Sequence, residues 1–180
     1  VTTFTKAVTA NTLTTDSGGT VVIKGGSITT TGEQSYGENM ILDNSGQTTV
    51  LKTTDSAVTF SGTVNNQAGG AVQSLRVDAG TGAVLFSEAV GDQGKLGNVA
   101  INSSGVTTFT KAVTANTLTT DSGGTVVIKG GSITTTGEQS YGEDLILASS
   151  VSSATSLTTD GANVSFSGTV NNQSNTTPEA

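Results

Sequence analysis

The chain has no His, no Cys and no Trp, and only one Pro, one Met and two Tyr among its 180 residues. Without imidazole or thiol there is no histidine general base, no cysteine nucleophile, no zinc site of the usual kind, no haem or iron–sulfur ligation and no disulfide framework. Enzymes of the nucleophilic or protein–metal kind are therefore disfavoured, and no cofactor is expected. Positive charge is also scarce. Seven Lys and Arg, spread singly, stand against 14 Asp and Glu, for a net charge of −7. Neutralising phosphates needs clustered cations, so nucleic acid is not an expected partner. No apolar run reaches the 18 or more residues of a helical span, so membrane insertion by this segment is not expected. The opening Val1-Thr2-Thr3-Phe4 carries neither an initiator Met nor a signal peptide, and reads as an excerpt of a longer chain. Lack of Cys suits either a reducing cytosol or a secreted repeat protein, so it leaves the compartment open.

What the chain has is small residues and repetition. It contains 24 Gly and 35 Thr, with apolar residues at 33% and aromatics at 4%. A compact core built around large rings is not expected at that level. Val1–Glu38 recurs residue for residue as Val106–Glu143, an offset of 105, and Phe60–Gln67 recurs as Phe166–Gln173 at offset 106. Within this long unit, all five Phe fall in one local pattern, a β-branched run ending in Phe with Val four residues on. Placing Ile23 and Leu42 in the same slot divides the unit into 1–19, 20–38, 39–56, 57–82 and 83–105, five subrepeats of mean length 21.

Most subrepeats contain three extended stretches. Thr20-Val21-Val22-Ile23 and Asn39-Met40-Ile41-Leu42 illustrate the first, Ser27-Ile28-Thr29 the second, and Leu13-Thr14-Thr15-Asp16 the third, with Gly, Asn or Asp at the bends. Apolar residues alternating with Thr or Ser, interrupted every four to six residues by turn formers, specify short strands and no helix. A stretch of about 21 residues cannot bury its apolar face alone but can do so stacked on copies of itself. The expectation is an all-β, right-handed parallel β-helix of about five coils per 105-residue unit, in which 1–105 and the incomplete copy 106–173 form one continuous solenoid and 174–180 is a tail or linker. Phe4, Ile23, Leu42, Phe60, Phe86, Phe109, Ile128, Leu147 and Phe166 are expected to stack as one interior column. The rival is a tandem of β-sandwiches of about 105 residues each, which requires no shorter period.

The phrases Ser27-Ile28-Thr29-Thr30-Thr31-Gly32 and Ala57-Val58-Thr59-Phe60-Ser61-Gly62-Thr63-Val64 resemble those of large secreted bacterial surface proteins of the filamentous-haemagglutinin and autotransporter-adhesin type. The resemblance runs to Gln173 and rests on composition. It implies a β-helical stalk displayed outside the cell. A structural segment of an extracellular or cell-surface filament or adhesin stalk is thus the leading expectation, its partner being itself through coil stacking. Val1 begins directly in strand pattern, so the first edge is expected to pair with preceding chain or another subunit. The alternative is a carbohydrate- or receptor-binding module taking surface glycans, which would need an aromatic-bearing cleft from only Tyr36 and Tyr141.

Other sites are weighed against structural roles. The Gly pairs lack the Lys-Ser/Thr of a phosphate loop and read as bends. Asp16, Asp55, Asp78, Asp121 and Asp160, with Asn102 in the same place, could line a calcium wall, yet Asp before a small residue commonly closes its own turn. Glu33 with Glu38, and Glu143 with Asp144, could serve as paired carboxylates on polysaccharide, but their duplication fits a repeated surface bend. Thr-x-Thr pairs fall at differing offsets, against an ice-binding ladder. Thr30 is expected to face solvent, and Tyr36 and Tyr141 to shield bends.

Overall fold

The computed structural model describes residues 1–148 and 154–173; the expected tail 174–180 lies outside the described residues. It is an all-β parallel solenoid with three faces, and no described residue is helical. Every strand pairing is parallel, joining one level to the next.

The first level comprises β1 (Thr2–Phe4), β2 (Val8–Ala10) and β3 (Leu13–Thr15), one strand on each face. Above it lie β4 (Thr20–Ile23), β5 (Ser27–Thr30) and β6 (Gln34–Tyr36), then β7 (Asn39–Leu42), β8 (Thr48–Lys52) and β9 (Val58–Phe60). The fourth level holds β10 (Val64–Asn66), β11 (Ser74–Gly80) and β12 (Val84–Phe86). In the fifth, Val90, bridging Val64 and Val113, stands on the first face together with Leu96, in register with Ala115 at the start of β13 (Leu96–Ser103); the rest of β13 takes the second face and β14 (Val106–Phe109) the third. The sixth consists of β15 (Val113–Thr120), which rounds a corner to serve both the first and second faces, and β16 (Thr125–Ile128). The seventh has β17 (Ser132–Thr135), β18 (Gln139–Tyr141) and β19 (Asp144–Leu147), and the eighth β20 (Ser156–Thr158), β21 (Val164–Phe166) and β22 (Val170–Asn172). About seven turns separate first from last level, roughly 34 Å at the spacing of paired strands.

Alternation explains which residues fill the tube. In β4 and β16 the second and fourth residues, Val21 and Ile23, Val126 and Ile128, are fully buried while their neighbours face outward. Val, Ile and Leu from the three faces, the few aromatic rings, and buried Thr and Gln fill the interior. Inward residues at the two ends, such as Phe4, Val8, Leu157 and Val164, are only partly buried, having a neighbouring level on one side.

The registers place the nine residues expected in one column on three faces. Phe4, Ile23 and Leu42 stack on the first face and continue to Asn66. Phe60, Phe86, Phe109, Ile128 and Leu147 stack on the third, beginning beneath Phe60 with Tyr36. Phe166 lies on the second face above Tyr141 and is 41% exposed. The cause is the segment 39–56. It contains two strands, β7 and β8, where its neighbours contain three, so the next subrepeat begins one face early. Fourteen strand positions, not fifteen, therefore separate Val1–Glu38 from its copy. The unit advances four and two-thirds turns rather than five, about 22.5 residues a turn, and β14, the copy of β1, stands on the third face instead of the first.

Candidate functional site

On the second face, the outward positions Thr9, Thr29, Lys52, Asp78 and Asn102 form a continuous ladder, one per level. Asp78 collects the polar partners. Arg76 Nε donates to its Oδ1 at 2.8 Å and Asn102 Nδ2 donates to the same oxygen at 2.6 Å, while Lys52 stands opposite it in register. Arg76 is half exposed, so this ion pair contributes little beyond orienting the carboxylate. These side chains, with Thr53, Thr54, Asp55, Thr81, Ser104 and Asp121, line an open groove of about 710 Å³ along the corner to the third face. No aromatic ring lines it.

The other Asp residues divide by environment. Asp55, in the left-handed region at φ 52°, accepts the Thr81 N–H at 3.0 Å, and Asp121 accepts the Ser103 N–H at 3.0 Å, each carboxylate tying its turn to an adjacent level. Asp16 and Asp160 are exposed. Asp78 and Asn102 are direct neighbours in the second-face ladder. Among the described residues no group of three acidic, His or Cys side chains is placed to hold a metal ion.

The carboxylate pairs separate rather than converge. Glu33 and Glu138 are exposed, whereas Glu38 and Glu143, expected in surface bends, are turned inward and only 4% and 3% exposed. Asp144 points outward and accepts both the backbone N–H and the hydroxyl of Thr169, at 2.7 and 2.9 Å, which hold its carboxyl below the usual range. Glu143 is turned inward in the bend before β19 and Asp144 outward at its first residue, so the two carboxylates do not face one another.

Inside the tube lies a polar cluster absent from the sequence reading. Gln34 is fully buried; its Nε2 donates to Lys52 O at 2.9 Å, Ile28 O at 3.2 Å and Thr30 Oγ1 at 3.3 Å, and its Oε1 accepts the Tyr36 hydroxyl at 2.8 Å. Gln139 repeats the arrangement with Thr158 O, Ile133 O, Thr135 and Tyr141. Thr30, expected outside, is 2% exposed and donates to Gly32 O at 2.5 Å, so alternation in β5 carries it inward with Ile28. Tyr36 and Tyr141 are fully buried, their phenol pKa values pushed far up by burial. Tyr36 begins a stack with Phe60, Phe86 and Phe109, the rings 4.6–5.4 Å apart and within 12° of parallel. The tyrosines thus contribute to the interior and not to a binding cleft. Recurrence gave no signal for this cluster, because exposed and buried positions of Val1–Glu38 recur alike in Val106–Glu143.

Comparison with known proteins finds no counterpart. The chain matches no family model, no curated protein and no solved structure.

Proposed function

We propose that this chain is a repeat segment of an extracellular or cell-surface filament or adhesin stalk, acting through length, stiffness and continued stacking of levels. The observation that carries the proposal is the parallel pairing that joins all eight levels, continuous on the second and third faces and carried across the fifth level of the first face by the Val64–Val90–Val113 bridges, built from a sequence unit that repeats. Such a column extends by adding levels without redesigning a core, because each level contacts mainly the one above and the one below. Right-handed winding, the usual hand of parallel crossovers, belongs to this proposal, as does kinship with filamentous-haemagglutinin and autotransporter-adhesin stalks. So does self-association, in which a terminal level pairs with further levels of its own kind.

Negative-stain electron microscopy tests the proposal. Thin rods that lengthen end to end with concentration are expected; particles of constant size at every concentration contradict it.

The groove around Asp78 favours a second reading, a module that binds surface glycans through polar side chains. A glycan array giving saturable binding that Asp78→Ala abolishes would support that module and argue against a purely mechanical stalk.

A further inference from the structure

The strands β21 and β22 repeat a stretch that is paired on both sides elsewhere in the molecule. Phe60–Gln67 and Phe166–Gln173 are identical, and the residues before them differ only in Thr59 against Ser165. Their support from below is also alike. Asn39 Oδ1 accepts the Thr63 N–H at 3.0 Å, and Asp144 Oδ1, in the same place, accepts the Thr169 N–H at 2.7 Å. Tyr36 stacks under Phe60 as Tyr141 does under Phe166, with centroids 5.4 and 5.3 Å apart.

What lies above them differs. In the first copy the segment Ala83–Gly94 covers the stretch from end to end. β12 pairs β9 in register, the Phe86 ring lies 4.6 Å from Phe60, and the Ser87 N–H donates to Phe60 O at 2.9 Å. The Val64 N–H donates to Ala89 O at 3.1 Å, and its carbonyl accepts the Gly91 N–H at 2.8 Å. Asn65 then holds the turn: its Nδ2 donates to Asp92 Oδ1 at 3.0 Å, and its Oδ1 accepts the N–H groups of Gln93 and Gly94 at 3.0 and 3.2 Å. Phe60, Val64 and Asn65 are at most 3% exposed as a result. In the second copy, among the described residues, β21 pairs only β18 and β22 ends its sheet. Phe166 and Val170 are 41% and 47% exposed, and Asn171 and Asn172 line a recess of about 310 Å³.

We propose that the β21–β22 edge binds, as an added parallel strand, an extended segment of another chain with the pattern of Ala83–Gly94: a Phe, Ala-Val three and four residues on, and a Gly-Asp-x-Gly turn. The purpose of such a joint, though not its contacts, rests on the stalk reading, in which a column grows by added levels. Main-chain hydrogen bonds attract any strand to an open edge, and side chains select among them. Selection here falls on two features. Phe166 offers the open side of its ring to a second ring. Asn171 Nδ2 donates to Thr169 Oγ1 at 2.9 Å and keeps a second hydrogen for the Asp of the turn, while its Oδ1 can accept the turn N–H groups as Asn65 does. The turn separates this partner from the chain's own first level, since Val1–Ala10 has Phe4 and Ala7-Val8 at the same spacing but no Gly-Asp after them.

The test is fluorescence anisotropy of a labelled Ala83–Lys95 peptide titrated with the whole chain. Saturable binding is expected, and Phe86→Asp in the peptide should abolish it. Asn171→Ala in the chain should weaken binding about tenfold, and a labelled Val1–Ala10 peptide should bind about tenfold more weakly and be indifferent to Asn171→Ala. Register is read by disulfide trapping. Leu85 faces Thr59 in the first copy, so a Leu85→Cys peptide should be captured by Ser165→Cys and not by Ser140→Cys one level down. Absence of saturable binding, binding undiminished in Asn171→Ala, equal affinity for the two peptides, or capture at Ser140→Cys in preference to Ser165→Cys overturns the proposal. Rods that lengthen under the electron microscope while the peptide fails to bind would remove this joint and leave the stalk; peptide binding by particles of constant size would do the reverse.

Discussion

At the scale of single residues, stability is concentrated in side chains that reach into the tube. Phe86 is packed between Phe60 and Phe109, with centroids 4.6 and 5.1 Å away, so Phe86→Ala should cost about 3–5 kcal/mol. Thr119→Asp, at an exposed position, should leave the denaturation midpoint nearly unchanged. Gln139→Leu should destabilise by about 1–3 kcal/mol, because the Tyr141 hydroxyl and Thr158 O each lose a buried partner. Urea unfolding followed by circular dichroism checks all three. Glu143 gives a pH signature. Burial pushes its carboxyl up to about 7 from the ordinary 4.5, so between those values the folded chain retains a proton that the unfolded chain releases. Stability should therefore fall as pH rises from about 4.5 to 7, and the Glu143→Gln variant should lose that dependence. The Phe positions were legible because large rings in a ring-poor chain mark an interior. Glu143 and Gln139 were not, because polarity argues for the surface unless the partners are seen, and those partners come from other levels.

At the scale of elements, strand alternation and turn chemistry were readable, and the number of strands per subrepeat decided the rest. Segment 39–56 resembles its neighbours in length but replaces two short strands with β8, so its missing bend moves all later slots by one face. Length alone concealed this, since the wide turn Asp43–Gln47 takes up the residues that a third strand would use. The corners themselves are tight. A Cβ on Gly82 would lie 2.1 Å from Ser56 O and 2.2 Å from Ser56 C, both backbone atoms of the level below. Gly82→Ala should consequently lower Tm, opposite in sign to the 0.4–1 kcal/mol or so that Gly→Ala contributes where the site is open.

At the scale of the whole molecule, the duplicated unit folds alike on different faces. The Gln34 and Gln139 clusters have matching partners although one lies on the third face and the other on the second. The three faces are thus nearly interchangeable, and the sequence dictates local geometry independently of the face it occupies. In an array of this unit, each surface feature would move by one face per copy and return after three. The Lys24–Asp43 pair, 3.0 Å apart in the first copy, shows that surfaces still diverge: the position corresponding to Asp43 is Ala148.

The claim underlying this account is that the chain winds in three-strand levels with a two-strand step between Leu42 and Phe60. Because the chain has no native Cys, introduced pairs report register directly. Ser35 and Thr59 are outward neighbours on adjacent levels, whereas Ile41 is paired with Asn65 on another face. Adjacent in-register strands bring Cα atoms to about 4.8 Å, within disulfide reach. On mild oxidation the double variant Ser35→Cys/Thr59→Cys should form an intramolecular disulfide and Ile41→Cys/Thr59→Cys should not. Efficient closure of the second pair with failure of the first would place Leu42 over Phe60 and contradict the winding described.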